Sequence, residues 1–516
     1  MLNLTKRIIK IESWPFWIGL LLIFTLIHFS INLTFLGKKW NDMLMLGGDA
    51  EQYIGSVENL ISNGEYTFCK TNEHLFFSNL LDADSYDKGI YYAFRTPGFA
   101  VIYYPIRLFF NFHSSLYIVI FLQILLNVIT KYLLCLLVFR ITKNRIAFFL
   151  GVLFFMFSIH SSFYNNFLLT ESFASFFLIT SLYLFYKGLN SKNKWTFLWS
   201  GLFLTEAMLL RPFLAPLFLP LVILIYLQFK KENIKILILL FLFPLIIFES
   251  FWLPRNYIKS GEFIPLSKTM DIFEYSNKAF LSQKKIIENL SVSGEWWVKS
   301  SPTYWFTKKD DKRSPLSVYP KIFFTNYKDT SLLINAKKNY LKSTDSSYPI
   351  KMRSDYESLA SNQLIELNNR FELKNKYIAL TSRFYIALNM INQPLLKPFI
   401  SLQYPFNVFS VALESFLLRF TFIFGFISTI IAIFRFRKNY FILFLAIIPL
   451  FIFLLFSFIM RHFEFREMYL PSFFFLFFGI EMISCIIINK KNTFLITIFS
   501  LLLLLVYFDV MNNVKF

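Results

Sequence analysis

At 516 residues, 56% hydrophobic, with 69 phenylalanines and a mean hydropathy of +0.52, the chain is too apolar for a water-soluble globule of ordinary composition. It is expected to be a polytopic membrane protein. A net charge of +20 would suit a nucleic-acid binder in a soluble protein. Here the basic residues flank apolar runs or fall in one long hydrophilic segment, so anionic membrane lipids are the expected partner and nucleic acid is not. Cys69, Cys135 and Cys485 are scattered and form neither a disulfide framework nor a metal-spaced set.

Lys6, Arg7 and Lys10 precede the first apolar run with no small-residue cleavage site after it, which predicts an uncleaved first span and a cytoplasmic N-terminus. Against about 20 residues per span, apolar runs at 14–36, 114–139, 146–163, 172–187, 195–210, 213–229, 234–253, 411–434, 440–460, 469–488 and 493–508 predict an all-α bundle of about 11 transmembrane helices, in a range of 10 to 13. Basic clusters fall in every second loop: Arg140, Lys143 and Arg145; Lys187, Lys192 and Lys194; Lys230, Lys231 and Lys235; Arg435, Arg437 and Lys438; Lys490 and Lys491. By the positive-inside rule those loops are cytoplasmic, and residues 37–113, 254–410 and 461–468 share the extracytoplasmic face. The expected organisation is a transmembrane module over 1–253 that includes the loop 37–113, a basic extracytoplasmic lobe over 254–410, and C-terminal transmembrane helices over 411–516.

The first soluble stretch opens with Gly47-Gly48-Asp49-Ala50-Glu51-Gln52-Tyr53 and closes with Asn63-Gly64-Glu65-Tyr66. One reading is purely structural: Asp49 caps a helix, Gln52 reaches back, and Tyr53, Val57, Leu60 and Ile61 share its buried face until Asn63-Gly64 ends it. The other makes Asp49 and Glu51 a carboxylate pair at a membrane surface, able to take a proton from an acceptor hydroxyl or to hold a divalent ion. Arg95-Thr96-Pro97-Gly98 then precedes an apolar run, Phe99 to Phe110, too short to span and suited to an interfacial helix. Arg95 at its start is placed either to snorkel or to pair with a phosphate.

Glu171 at the mouth of the fourth predicted span and Arg211 at the end of the fifth are costly at such depths, and so mark either a site or a mutual ion pair. Segment 254–410 carries 23 Lys/Arg against 13 Asp/Glu. It begins with Arg255 in Pro254-Arg255-Asn256-Tyr257, continues to Gly261-Glu262-Phe263-Ile264-Pro265, and is helical in pattern over 351–392. Trp296, Trp297, Tyr304 and Trp305 within it read as lobe core or as a sugar-stacking surface. The last external loop packs Arg461, His462, Glu464, Arg466 and Glu467 into seven residues, ahead of Met468-Tyr469-Leu470-Pro471.

The order of these elements resembles the GT-C superfamily of polyprenyl-phosphate-sugar-dependent glycosyltransferases. It is similar to the family 39 type, which holds the bacterial relatives of protein O-mannosyltransferases and the lipid A aminoarabinose transferases. The similarity covers about residues 14–265 and 461–471, with Thr96 where the family often has proline and Arg466-Glu467-Met468-Tyr469 where it often has E-R-Y. The resemblance implies a GT-C-like bundle in a bacterial inner membrane with its site on the extracytoplasmic face. It makes Asp49 the general base, Glu51 its acidic companion, and Arg95, Arg255 and Arg466 the ligands of the donor phosphate. Tyr53, Glu171, Arg211, Arg461, His462 and Glu464 are further site candidates. The implied partners are a polyprenyl-phosphate-sugar donor and a glycolipid, glycan or protein acceptor. No cofactor is required, and a divalent ion on Asp49 and Glu51 stays an alternative to charge supplied by arginines. Two rivals remain: a non-enzymatic transporter of lipid-linked glycans, with ionisable residues near the bilayer midplane, and an O-antigen ligase or polymerase that would not need Asp49.

Overall fold

The computed structural model describes residues 14–35, 48–69, 90–91, 95–191, 193–229, 234–267, 277–290, 302–317, 327–389, 406–456, 468–488, 497, 500–507 and 511. The described chain is almost wholly helical, and a two-residue pairing, β1 (Phe68–Cys69) against β2 (Ile90–Tyr91), is its extended structure. Among the described residues, six helices are long and apolar enough to cross a membrane, or seven if one bent pair is a single span. Helices Lys194–Leu210, Pro212–Gln228 and Tyr440–Leu454, which cover three of the eleven predicted runs, are not among those six.

The chain divides into two compact units, the first made of residues 1–268, 392–450 and 469–516 and the second of 269–391 and 451–468. Residues 254–268, expected in the lobe, thus pack with the first unit. The reason is local: the helix beginning at Ile234 does not stop at the predicted membrane edge but runs on to Ser260 through Pro254.

In the first unit, α1 (Trp14–Phe35) is followed by α2 (Gly48–Asn63), then α3 (Gly98–Phe109) and the long α4 (Phe112–Thr142). The Asn111 side chain caps α4 by accepting from the Ser114 amide at 2.9 Å, and Lys143 ends it with a left-handed φ of 56°. α5 (Arg145–Phe157) is capped by Asn144 and followed by a 3-10 segment, His160–Asn166, bent 49° from it. α6 (Glu171–Ser191), α7 (Lys194–Leu210), α8 (Phe218–Gln228) and α9 (Ile234–Ser260) complete the N-terminal part. Phe29, Leu33, Ala50, Tyr53, Ile54, Val57, Phe99, Tyr103, Leu116 and Phe173 form one buried cluster, so the short α2 and α3 are fastened to α1, α4 and α6 by apolar packing. Glu58 adds a polar lock between them, accepting from the Tyr103 hydroxyl at 2.7 Å and Arg107 Nε at 2.9 Å. Burial, followed by the hydrogen bond to Glu58, pushes the Tyr103 phenol well above its ordinary range, so it stays a donor. As expected, the helix that follows Arg95-Thr96-Pro97-Gly98 is short, and the structure buries Phe99 and Tyr103 on one side while Val101, Leu108 and Phe109 are exposed.

The second unit holds α10 (Lys278–Leu290), α11 (Pro302–Thr307), α12 (Tyr327–Thr344) and α13 (Ile350–Asn389). Its core joins Phe280, Ile287, Trp305, Phe306, Leu333, Tyr340, Leu364 and Leu367. Trp305 is core: it is 2% exposed, donates its indole N–H to the Arg313 carbonyl, and lies under the Lys337 ammonium at 4.5 Å. Trp296 and Trp297 lie outside the described residues.

Returning to the first unit, α14 (Phe406–Arg419) continues through a π turn, Phe420–Phe424, into α15 (Gly425–Arg435). α16 (Tyr440–Leu454) and α17 (Tyr469–Ile488) follow. The carboxylate of Glu414 accepts from the amides of Ile159 and His160 at 3.2 and 2.9 Å, where α5 has ended and the first N–H groups of the 3-10 segment need acceptors. Lys131 braces the same break, donating to Ser162 Oγ at 2.7 Å and Thr25 Oγ1 at 3.1 Å.

Candidate active site

Asp49 is the second residue of α2, where the amide ends of the helix favour a negative charge. Its side chain and that of Gln52, three residues on, both accept from Arg95. Arg95 Nη2 donates to Asp49 Oδ1 at 3.0 Å and also to Gln52 Oε1, while Nε donates to the same Gln52 oxygen at 3.0 Å. The guanidinium lies over the Tyr53 ring, 4.8 Å from its centroid. The side chains of Arg95 and Asp49 are 20% and 22% exposed, so a solute can reach the pair. The buried face of α2 is also shifted from the predicted one. Ala50, Tyr53, Ile54 and Val57 are buried and Ile61 is 37% exposed, because the last turn projects past the cluster that holds the first three turns. Gly64, at φ 73°, ends the helix where Asn63-Gly64 predicts.

The turn that carries Arg95 is pinned to the end of α7. Thr96 donates its hydroxyl to the Leu209 carbonyl oxygen. Gly98 lies so close that a Cβ there would stand 2.6 Å from the Leu209 carbonyl carbon. One residue beyond α7, Arg211 pairs with Glu171 at the start of α6, the mutual ion pair that was one of the two sequence readings. Glu171 is nearly buried, at 3% side-chain exposure.

Tyr66 joins Arg95 to Arg255. Its hydroxyl donates to the Thr96 carbonyl at 3.2 Å, its own carbonyl accepts from Arg255 Nη2, and its ring meets Trp252 edge-on at 6.0 Å. Burial pushes the Tyr66 phenol well above its ordinary range, aided by Tyr53 and opposed by the nearby Arg95 and Arg255, so it remains a hydrogen-bond donor at neutral pH. Arg255 stacks on Trp252 at 4.8 Å and donates to Asn256 Oδ1 at 2.7 Å. Asn256 Nδ2 and Trp252 Nε1 in turn hold the carbonyls of Ile264 and Leu266, so the Gly261-Glu262-Phe263-Ile264-Pro265 stretch folds back along the end of α9. Lys259 reaches Glu65 at 2.5 Å, a second tie between α9 and the turn after α2.

Arg255 also lines a groove of about 720 Å³ between α7 and α9. Its walls are Trp199, Leu202, Leu209, Phe243, Ile247, Phe248, Phe251 and Trp252, and Glu206 is the acidic group among them. Trp199, Leu202 and Phe251 are 53%, 44% and 75% exposed, which leaves the groove open along its length.

Of the sequence candidates, the structure brings Asp49, Tyr53 and Arg95 into one contact set, links Arg255 to it through Tyr66, and sets Glu171 with Arg211 as a pair beside it. Arg461, His462, Glu464 and Arg466 lie outside the described residues, as does the side chain of Glu51. Gln52, Tyr66, Trp252 and Glu206 were not among the candidates. The spacing of Gln52 three residues after Asp49 is the available signal for it, and the same spacing fits a capping box. Among the described residues no three His, Cys, Asp or Glu side chains converge on a metal position, and Arg95 is paired with Asp49.

Fold and site together define a multi-pass helical membrane protein in which an arginine–carboxylate centre adjoins an open apolar groove. No family model matches the chain, and no curated protein matches it.

Proposed function

We propose that the chain is an inverting glycosyltransferase that moves a sugar from a polyprenyl-phosphate-linked donor to a hydroxyl of an extracytoplasmic glycolipid, glycan or protein. The observation that carries this reading is the continuity of the apolar groove with Arg255, and of Arg255 with Arg95 and Asp49 through Tyr66. A molecule with a hydrocarbon chain, a phosphate and a sugar has these needs in that order. The chain lies in the groove against Trp199, Phe243, Ile247 and Phe251, and its burial drives binding. The phosphate meets the guanidinium groups of Arg255 and Arg95, which offer charged donors in a fixed fork. Asp49 takes the proton of the acceptor hydroxyl as its oxygen attacks the anomeric carbon from the side opposite the phosphate. The new glycosidic C–O bond forms as the sugar–phosphate C–O bond breaks, and the electron pair leaves with the phosphate, whose growing charge the arginines stabilise.

The test is transfer by Asp49→Asn from a polyprenyl-phosphate sugar. Asparagine keeps size and helix preference, so insertion is retained and donor binding is not weakened while turnover falls by roughly 10²-fold or more, the scale of losing a general base. Parental turnover in that variant would remove Asp49 from the chemistry and favour a ligase- or polymerase-type enzyme.

One observation favours a second reading, transport of a lipid-linked glycan: Lys131, His28 and Glu414 are buried ionisable residues inside apolar helices. All three are hydrogen-bonded around the break at residues 157–162, an equally good reason for their presence. Net movement of a fluorescent lipid-linked sugar across proteoliposomes, undiminished in Asp49→Asn, would select transport.

A further inference from the structure

The contacts of Arg95 divide by charge. Two partners are neutral: the Gln52 amide oxygen, which accepts from both Nε and Nη2, and the face of the Tyr53 ring. Another, Asp49, is an anion that accepts from Nη2. A carboxylate held by a guanidinium is a weaker proton acceptor than a free one, because the cation favours its charged form. The resting arrangement is therefore a restrained base beside an occupied phosphate ligand.

We propose that Gln52 is a positioning residue that, with the Tyr53 ring, holds Arg95 in place while the donor phosphate displaces Asp49 from the guanidinium. The base is released only when the donor has bound. This inference rests on the glycosyltransferase reading of the same site and adds an order to it: donor first, acceptor second. The geometry suits the exchange, since losing Asp49 leaves Arg95 with both Gln52 hydrogen bonds and its aromatic support, and the arriving phosphodiester brings one negative charge for the one that leaves.

Linkage fixes the sign of the test. If phosphate binding must break the Asp49–Arg95 pair, then Asp49 weakens phosphate binding by the same factor. Had Asp49 instead served to orient Arg95 for the phosphate, its removal would weaken binding. The probe is a polyprenyl monophosphate, with the corresponding polyprenol as its uncharged control, titrated into the purified full-length protein in nanodiscs and read by native mass spectrometry. Asp49→Asn is expected to bind the monophosphate about fivefold tighter than the parent, the scale of one partly exposed ion pair. Gln52→Glu keeps both hydrogen bonds to Arg95 but adds a competing anion, and is expected to bind it at least about fivefold more weakly. Neither change should alter polyprenol affinity, which a general loosening of the fold would reduce. Equal or weaker monophosphate binding by Asp49→Asn, in a parent that prefers the phosphate to the alcohol, overturns the displacement and leaves the enzyme reading standing. A parent that binds the two probes equally well overturns the phosphate site itself, and this proposal with it.

Discussion

Arg255 does two jobs at the residue scale, and they can be separated. It ties α9 to the turn after α2 through the Tyr66 carbonyl, and it presents charge at the end of the apolar groove. Arg255→Lys keeps the charge but loses the planar fork, whereas Arg255→Ala loses both. Polyprenyl monophosphate binding is expected to fall by about tenfold or more in the alanine variant, the lower end of the range for a charge-assisted contact, and by less in the lysine variant. Polyprenol binding should hold in both, and equal losses for the two probes would assign Arg255 a packing role only. Gly98 offers a sharper steric test. A methyl group there meets the Leu209 backbone, which cannot move aside as a side chain would. Gly98→Ala should therefore cost about 1–3 kcal/mol, as overpacking does, and shift the Arg95 turn. A thermal unfolding midpoint equal to the parent's would show that α3 and the end of α7 are not in contact as described.

At the scale of elements, the amphipathic pattern of α2 was readable because its apolar residues recur at helical spacing, and Asn63-Gly64 marked its end. Its orientation was not readable. Tyr53 and Val57 are buried as expected, while Leu60 is only partly buried and Ile61 exposed, because α2 is short and α1, α3 and α4 cover just its first three turns. Gln52 illustrates the same limit: a side chain three residues from an aspartate fits a capping box on paper, but Arg95, 43 residues later, offers it a charged donor. The break between α5 and the segment at His160 is a second such case. The run 146–163 reads as one span, yet Glu414 supplies the acceptors that let the backbone bend there. Glu414→Ala would leave the Ile159 and His160 amides without that acceptor, at a cost of about 1–3 kcal/mol for each unsatisfied group. The expected result is a lower unfolding midpoint in detergent, with Glu414→Gln intermediate because its amide oxygen can still accept. An unchanged midpoint in Glu414→Ala would mean that the break is satisfied by other groups.

On the scale of the whole molecule, the alternation of basic loops makes a prediction about sidedness. Ser314, exposed in the second unit, should be extracytoplasmic. A cysteine placed there is expected to react with a membrane-impermeant maleimide added to intact cells, and reaction only after the membrane is opened would reverse the topology and move the site to the other face. The same scale explains the lobe boundary. Charge and polarity change at residue 254, where the apolar run ends, but compactness changes at residue 268, because Trp252, Asn256, Ile264 and Leu266 fold the chain back onto the end of α9 before it leaves.

Hydropathy and the placement of Lys and Arg are properties of the chain itself, so the sequence alone determined that this is a helical protein with several membrane-length apolar segments, a short apolar helix after Arg95-Thr96-Pro97-Gly98, and a helical basic segment late in the chain. The candidates Asp49, Tyr53, Arg95 and Arg255 could also be named from it, since ionisable groups at the ends of apolar runs are costly without a use. Only the tertiary structure decided which of them meet. Contact between Arg95 and Asp49, or between Arg255 and Tyr66, depends on how α2, α3 and α9 pack against the ends of α7 and α4. That packing is set by apolar surfaces with no directional code, by the close approach at Gly98, and by backbone carbonyls such as those of Tyr66, Thr96 and Leu209 that every residue carries and no sequence pattern distinguishes.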